Sequence, residues 1–224
     1  MNGIAEVDGR YLPQACQVLT ATETLAPMSL QSPNLIEYVV AANGLFARAV
    51  RREMSVCLPL WLGRMGGAAL QPVERHFRLA GPRVPEQLVR EMLDVARRAS
   101  PPETERGDEA LFYLTLGPGG WALHVPPQEA TTVSVRAMLE AGDPAYSEAV
   151  LEVHSHHSMP AFFSTDDDQE EAGKFRLFAV LGRIHTRPAL VLRLGMWAYF
   201  WNLKPRLVFD LPLEVHDGWS DQTD

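Results

Sequence analysis

A short segment of the chain carries two histidines and an aspartate at a spacing that suits a metal ion. Residues 151–168 read LEVHSHHSMPAFFSTDDD, which places His154 and His156 two positions apart in a stretch typical of a β-strand. Side chains two positions apart on a strand point to the same side, so the two imidazoles are presented together. The loop that follows can return the carboxylate of Asp167 to them. Two nitrogens and one oxygen leave a fourth coordination position open, as in catalytic rather than structural zinc sites.

This spacing resembles the signature of a known family. The pattern His-x-His-x7-Ser-x2-Asp, formed by His154, His156, Ser164 and Asp167, is similar to that of the JAMM, or MPN-plus (JAB), zinc metalloproteases. One position departs from the family pattern, since His157 stands where the family usually has proline. The resemblance implies a zinc ion held by the two histidines and the aspartate, with Ser164 stabilising the oxyanion of the tetrahedral intermediate.

The same resemblance implies a fold and a reaction. The expected fold class is α/β, a three-layer JAB/MPN domain of the cytidine-deaminase-like kind with a curved mixed sheet. The expected reaction is hydrolysis of a peptide or isopeptide bond, because zinc polarises the carbonyl and lowers the pKa of water to about 7.

The family also requires a glutamate that takes a proton from the attacking water, at the start of the strand after the first helix. Glu109 occupies that place. Glu103 and Glu105 are nearby alternatives, and Glu152 is another because alternation puts it on the imidazole face of its strand. A carboxylate on the ligands' own strand is better suited to orienting a ligand than to acting as base. We therefore predict that Glu109 is the base.

A narrower similarity extends from about residue 105 to residue 203. The runs STDDDQE at 164–170 and FRLFAVLGRI at 175–184 resemble the protein A family of the PRTRC system, a gene set of bacterial plasmids and integrated elements. That resemblance implies a ubiquitin-like protein, or its conjugates, as substrate, and an E1-like enzyme of the same system as a further partner.

The elements that must position these residues begin near residue 80, where the pattern of the chain changes. Residues 1–80 are punctuated by prolines, and a hairpin is predicted at Asn43-Gly44, so this part is expected to be a β-rich N-terminal module. Residues 81–211 are predicted to form the JAB/MPN domain. Residues 212–224 are acidic and are expected to be a frayed tail.

Within the second domain, apolar residues at helical spacing predict one amphipathic helix over 85–99. A run bounded by Gly117-Pro118-Gly119-Gly120 predicts a hairpin of 110–116 with 121–125. Further strands are expected at 131–136, 149–156, 175–184 and 189–200, and a helical or irregular stretch at 138–148.

Composition excludes several classes of function. The chain has 20 Lys and Arg against 28 Asp and Glu, a net charge of −8, which argues against nucleic acid as the partner. Only two cysteines are present, which suits a reducing compartment. The start does not resemble a secretory signal, and arginines interrupt the most apolar region, 175–201, so neither export nor membrane insertion is expected. These features predict a cytoplasmic protein with no membrane partner.

Two other functions fit the same residues. One is a non-catalytic scaffold or binding protein with the MPN-type fold, as occurs among relatives that lack metal ligands. The other is a small-molecule amidase that uses the same metal site.

Overall fold

The computed structural model of the protein describes residues 16–66, 69–101, 107–138 and 142–219. The chain divides into two compact units, Met1–Ala80 and Gly81–Asp224. No helix in the described ranges is long and apolar enough to cross a lipid bilayer.

The first unit contains a five-stranded sheet in which the strands lie in chain order. The first two strands are parallel and the other pairs are antiparallel. The predicted hairpin is present, but its turn lies one residue earlier than expected because Ala41 pairs with Gly44. Gly44 has φ +150°, and a Cβ there would lie 2.2 Å from the carbonyl oxygen of Trp61, so a side chain is excluded. The strands are β1 (Cys16–Thr20), β2 (Ile36–Ala41), β3 (Gly44–Arg51), β4 (Met54–Leu62) and β5 (His76–Leu79).

The second unit is built on a mixed sheet with few helices, which fits an α/β fold. Its elements are α1 (Glu86–Ala99), β6 (Leu111–Gly117), β7 (Gly120–His124), β8 (Gln128–Ala130), β9 (Val135–Ala137), α2 (Pro144–Ser147), β10 (Leu151–His156), α3 (Thr165–Glu171), β11 (Lys174–Gly182), β12 (Ala189–Trp197), β13 (Tyr199–Leu203), a 3-10 turn (Pro205–Leu207) and β14 (His216–Asp217). The order in the sheet is β13-β12-β11-β10-β6-β7, with β14 beside β12. The three-layer arrangement of the family remains a prediction.

Strand β10 lies inside this sheet. It pairs in parallel with β11 and antiparallel with β6. Leu151 and Val153 are fully buried. A strand with hydrogen-bonded neighbours on both sides has little freedom to shift, so β10 is a rigid support for the side chains that it carries.

Helix α1 confirms the amphipathic pattern seen in the sequence. It follows Pro85, whose fixed φ suits a helix start, and its buried residues are Val89, Met92, Leu93 and Ala96.

Two of the expected strands were wrong in detail. The strand expected at 131–136 is a hairpin of β8 and β9, because Thr131 and Ser134 close a turn between them through a 2.8 Å backbone hydrogen bond. The strand expected at 189–200 is two antiparallel strands, because Trp197 adopts a positive φ of 56° and the chain reverses there.

The tail expected to fray is folded over residues 212–219. Val215 is 2% exposed, and β14 pairs with β12. Apolar burial and strand pairing hold this segment, which the acidic composition of the tail did not indicate.

Candidate metal centre

The structure brings the two predicted histidine ligands together on β10. The Nε2 atoms of His154 and His156 lie 3.2 Å apart, and both side chains are largely buried. This closeness follows from the period of two along a strand. The sequence prediction that the two imidazoles share one face is therefore confirmed.

A backbone carbonyl fixes the orientation of the second imidazole. Nδ1 of His156 lies 3.1 Å from the carbonyl oxygen of Pro160. A carbonyl only accepts, so Nδ1 carries the hydrogen and donates it, and the neutral ring keeps a lone pair on Nε2. The loop reaches this position because Gly182 has no side chain, since a Cβ there would lie 2.1 Å from the backbone nitrogen of Ala161.

The aspartate is oriented by the start of α3. Ser164 caps the helix, and its backbone N–H and its hydroxyl both donate to Oδ2 of Asp167, at 2.6 Å and 2.7 Å. The Asp167 N–H donates back to the serine hydroxyl at 3.2 Å, which completes a capping box. Oδ2 is thereby occupied, while Oδ1 lies 3.5 Å from Nε2 of His154. Ser164 thus orients the aspartate here, and its role toward an oxyanion remains a prediction.

The three donor atoms suit a zinc ion. One ligand atom from each of His154, His156 and Asp167 lies within 4.8 Å of the others. Two ligands at about 2.0–2.1 Å from a tetrahedral zinc are about 3.3 Å apart. The observed separations of 3.2 Å and 3.5 Å agree with that value.

The protonation states also suit a metal. Burial lowers the pKa of His154 to about 4, with Asp167 opposing the shift and His156 adding to it. Burial likewise lowers the pKa of His156. Both imidazoles are therefore neutral at physiological pH, which is the form that binds metal ions.

Glu109 lies beside this cluster. Its carboxylate is 3.9 Å from Nε2 of His156, and the residue is 4% exposed. Its backbone N–H donates to the carbonyl of Thr131 at 2.9 Å. Burial first, and then the charges of Asp167 and Glu170, raise the pKa of Glu109 to about 7. A carboxyl with this pKa is poised to exchange a proton near neutral pH.

The other glutamates considered as base differ from Glu109. Glu152 accepts from Arg176 at 2.8 Å and lies 3.4 Å from Lys174. Its described hydrogen bonds are thus to these cations rather than to an imidazole, so the orienting role suggested by strand alternation was wrong. Glu103 and Glu105 lie outside the described residues.

Sequence reasoning missed two residues that support the site. The Ser155 hydroxyl is buried and accepts from the N–H of Ala110 at 2.9 Å, which fixes the backbone next to Glu109. His157 donates from Nε2 to the carbonyl of Thr132 at 2.9 Å, so it ties the end of β10 to the turn between β8 and β9. The sequence did contain a signal for Ser155, because strand alternation places its side chain on the face of the sheet opposite to the two imidazoles.

The cluster opens into a cavity of about 530 Å³. Met159 and Phe162 contribute to its wall, and the Phe162 ring packs edge-on against His156 at 4.8 Å between centroids. No Lys or Arg of the described residues lines it. Six carboxylates do: Glu109, Glu152, Asp166, Asp167, Glu170 and Glu171. Carboxyl groups thus dominate the polar lining of the cavity, and burial raises the pKa of Glu109 to about 7 and that of Glu171 to about 8.

Comparison with known protein families gives one match, in the second unit. Residues 85–194 match the family model of prokaryotic homologs of the JAB domain. This match supports a JAB-family domain in the second unit. It spans the chain from just before α1 into β12 and includes Glu109 and all three candidate ligands.

Among solved structures, a solution structure of a protein from Salinibacter ruber (strain DSM 13855) is similar to this chain. The identity is 19% and the TM-score 0.35, over 58% of this chain and 95% of that chain. No curated protein matches the chain.

Proposed function

We propose that the JAB-like unit is a zinc-dependent peptidase or isopeptidase. The observation that carries this proposal is the convergence of two neutral imidazoles and one carboxylate, with a buried glutamate 3.9 Å from one ligand atom. Three protein ligands plus a nearby carboxylate are the components of a hydrolytic zinc site. The match to the JAB family is consistent with a hydrolase.

In this proposal His154, His156 and Asp167 hold the ion. When bound, zinc supplies a Lewis acid that makes water nucleophilic at neutral pH and polarises the scissile carbonyl. Glu109 accepts a proton from the attacking water through its carboxylate and returns it to the leaving amine. Ser164 donates to the developing oxyanion, for which its hydroxyl turns from Oδ2 of Asp167 toward the substrate.

The proposed substrate is the C-terminal tail of a ubiquitin-like protein, cleaved in deconjugation or processing. This identity rests on the resemblance to the PRTRC protein A family, as does an E1-like enzyme as partner. The turn between β8 and β9 contributes Val133 and Ser134 to the cavity wall, and Val135, the first residue of β9, continues it. We propose that an extended tail lies along this wall, where pairing with backbone groups gives affinity without strict side-chain demands.

Paired variants test the catalytic role. Glu109→Gln keeps the shape of the side chain but removes the base, so zinc content should stay at one equivalent while turnover of a ubiquitin-like fusion falls by about 10²–10⁴-fold. His154→Ala should instead lose the metal, as measured by atomic absorption. Unchanged turnover in Glu109→Gln would remove this residue from its role.

The two alternative functions give different outcomes in the same experiment. Stoichiometric zinc with no cleavage of protein conjugates or small amides would indicate a non-catalytic binding protein. Cleavage of small amides alone would indicate an amidase.

A further inference from the structure

Helix α3, which carries the Asp167 ligand, has no hydrophobic face. Its sequence over Thr165–Glu171 is TDDDQEE, and its one buried residue is Glu171. An isolated helix of this length is unstable in water, and helices in proteins are held mainly by packing an apolar face. Apart from its capping box, α3 therefore needs a different kind of attachment to the sheet.

That attachment is Arg193 on β12. Its Nε donates to Oε2 of Glu171 at 2.7 Å, and its Nη1 donates to Oδ1 of Asp168 at 2.5 Å. The guanidinium carbon lies over the rings of Phe163 and Phe200, at 4.0 Å and 4.1 Å from their centroids. The side chains of Arg193 and Glu171 are each 5% exposed, so the contact between them is little screened by solvent, whereas the Asp168 side chain is 51% exposed.

The arginine is itself fixed by the sheet. Strand β12 pairs with β11 on one side and with β13 on the other, and Arg193 lies opposite Phe178 and Asn202 in these pairings. The contacts with the two aromatic rings restrict the guanidinium as well. Its two carboxylate partners are consequently held at a defined place above the sheet.

This place determines where the third metal ligand lies. Asp167 directly precedes Asp168 in α3, and its Oδ1 is 3.5 Å from Nε2 of His154. A shift of the helix by about 1 Å would be enough to spoil coordination, because metal–ligand distances are fixed to about 0.2 Å. Arg193 also offsets the repulsion among the carboxylates that surround Asp167.

We propose that Arg193 is a positioning residue for the metal centre, which holds α3 and thereby Asp167 against the two histidines. This inference rests on the proposed zinc site. It assigns to Arg193 no contact with the metal or the substrate.

The test measures zinc affinity of the apoprotein by competition with a fluorescent chelator, independently of activity. Arg193→Met keeps the length and apolar stem of the side chain but removes the donors, and should weaken zinc binding by about 10–100-fold. Arg193→Lys keeps the charge but cannot reach both carboxylates with a planar fork, so it should recover part of that loss.

Arg176→Met is the matched control. Arg176 is 6% exposed and pairs with Glu152, but that glutamate lies on β10, which backbone hydrogen bonds hold on both sides. This variant should lower the unfolding midpoint in urea while zinc affinity stays within about twofold. If Arg193→Met fails to fold, Glu171→Gln replaces it, and it should weaken zinc binding while leaving the secondary structure unchanged.

The outcomes separate this inference from the proposed function. A wild-type protein that binds no zinc overturns both. If the wild type binds zinc and the zinc affinity of Arg193→Met, or of Glu171→Gln in its place, lies within twofold of the wild-type affinity, only the positioning role is overturned. An equal loss of affinity in Arg176→Met would also overturn it, because the effect would then be general destabilisation.

Discussion

Replacement of Gly182 by alanine tests how the loop after β10 supports the candidate metal centre. Gly182 ends β11 and lies opposite His156 in the parallel pairing with β10. A Cβ at this position would lie 2.1 Å from the nitrogen of Ala161 and 2.4 Å from the carbonyl carbon of Pro160. Backbone atoms cannot turn aside as a flexible side chain does, so the loop must move as a unit.

The expected cost has two parts. Forcing an extra methyl group into a packed site costs about 1–3 kcal/mol. Displacement of the loop also removes the 3.1 Å hydrogen bond between His156 and Pro160, and a typical intramolecular hydrogen bond contributes about 1 kcal/mol. We therefore expect Gly182→Ala to lower the free energy of unfolding by about 2–4 kcal/mol.

We expect zinc affinity to decrease together with stability, because the carbonyl of Pro160 fixes the tautomer of His156, one of the candidate ligands. Loss of such a partner typically costs about 10–100-fold in metal affinity. Urea denaturation followed by circular dichroism measures the first effect, and chelator competition the second.

Gly117→Ala is the matched control. Gly117 is the exposed last residue of β6, and a Cβ there has nothing within 4 Å. Its substitution should change the free energy of unfolding by no more than about 0.5 kcal/mol. If Gly182→Ala matched this control in both stability and zinc affinity, the steric reasoning would be refuted.

Three further predictions concern other parts of the chain. Ser155→Ala leaves the buried N–H of Ala110 without its acceptor, so it should lower the free energy of unfolding in urea by about 1–3 kcal/mol. It should also reduce kcat more than zinc affinity, because it loosens the backbone beside Glu109, and equal fold-losses in kcat and zinc affinity would contradict this. Burial raises the pKa of Cys57 to about 11. Iodoacetamide at pH 8 should therefore alkylate only the exposed Cys16 in the native protein. Incorporation of two equivalents of label would refute the burial argument. The charge of Glu170 helps to raise the pKa of Glu109, so Glu170→Lys should lower that pKa and move the acidic limb of the pH profile of kcat/KM to lower pH. An unchanged profile would contradict this electrostatic coupling.

The sequence by itself determined where the candidate metal ligands and several elements lie. His154 and His156 lie on one face of β10 because a strand repeats every two residues, whatever surrounds it. The capping box that orients Asp167 is equally local, since Ser164 and Asp167 are three residues apart. The apolar face of α1 could be predicted for the same reason, because the helical period relates residues only three or four positions apart in the sequence.

The tertiary structure decided which distant residues meet these ligands. Glu109 lies beside His156 because β6 pairs with β10 and because Ser155 anchors Ala110. Arg193 looked like one of several charges interrupting an apolar run, and only the position of β12 under α3 made it the partner of Glu171.

The expectations that were wrong also depended on contacts between residues far apart in the chain. Glu152 was placed correctly by alternation, but its bond to Arg176 depends on the register of β10 against β11. Residues 212–224 were expected to fray because they are acidic, yet β14 within them is held by pairing with β12. Periodicity and capping involve residues a few positions apart, whereas strand register, burial and ion pairing depend on the free energy of the whole packed unit.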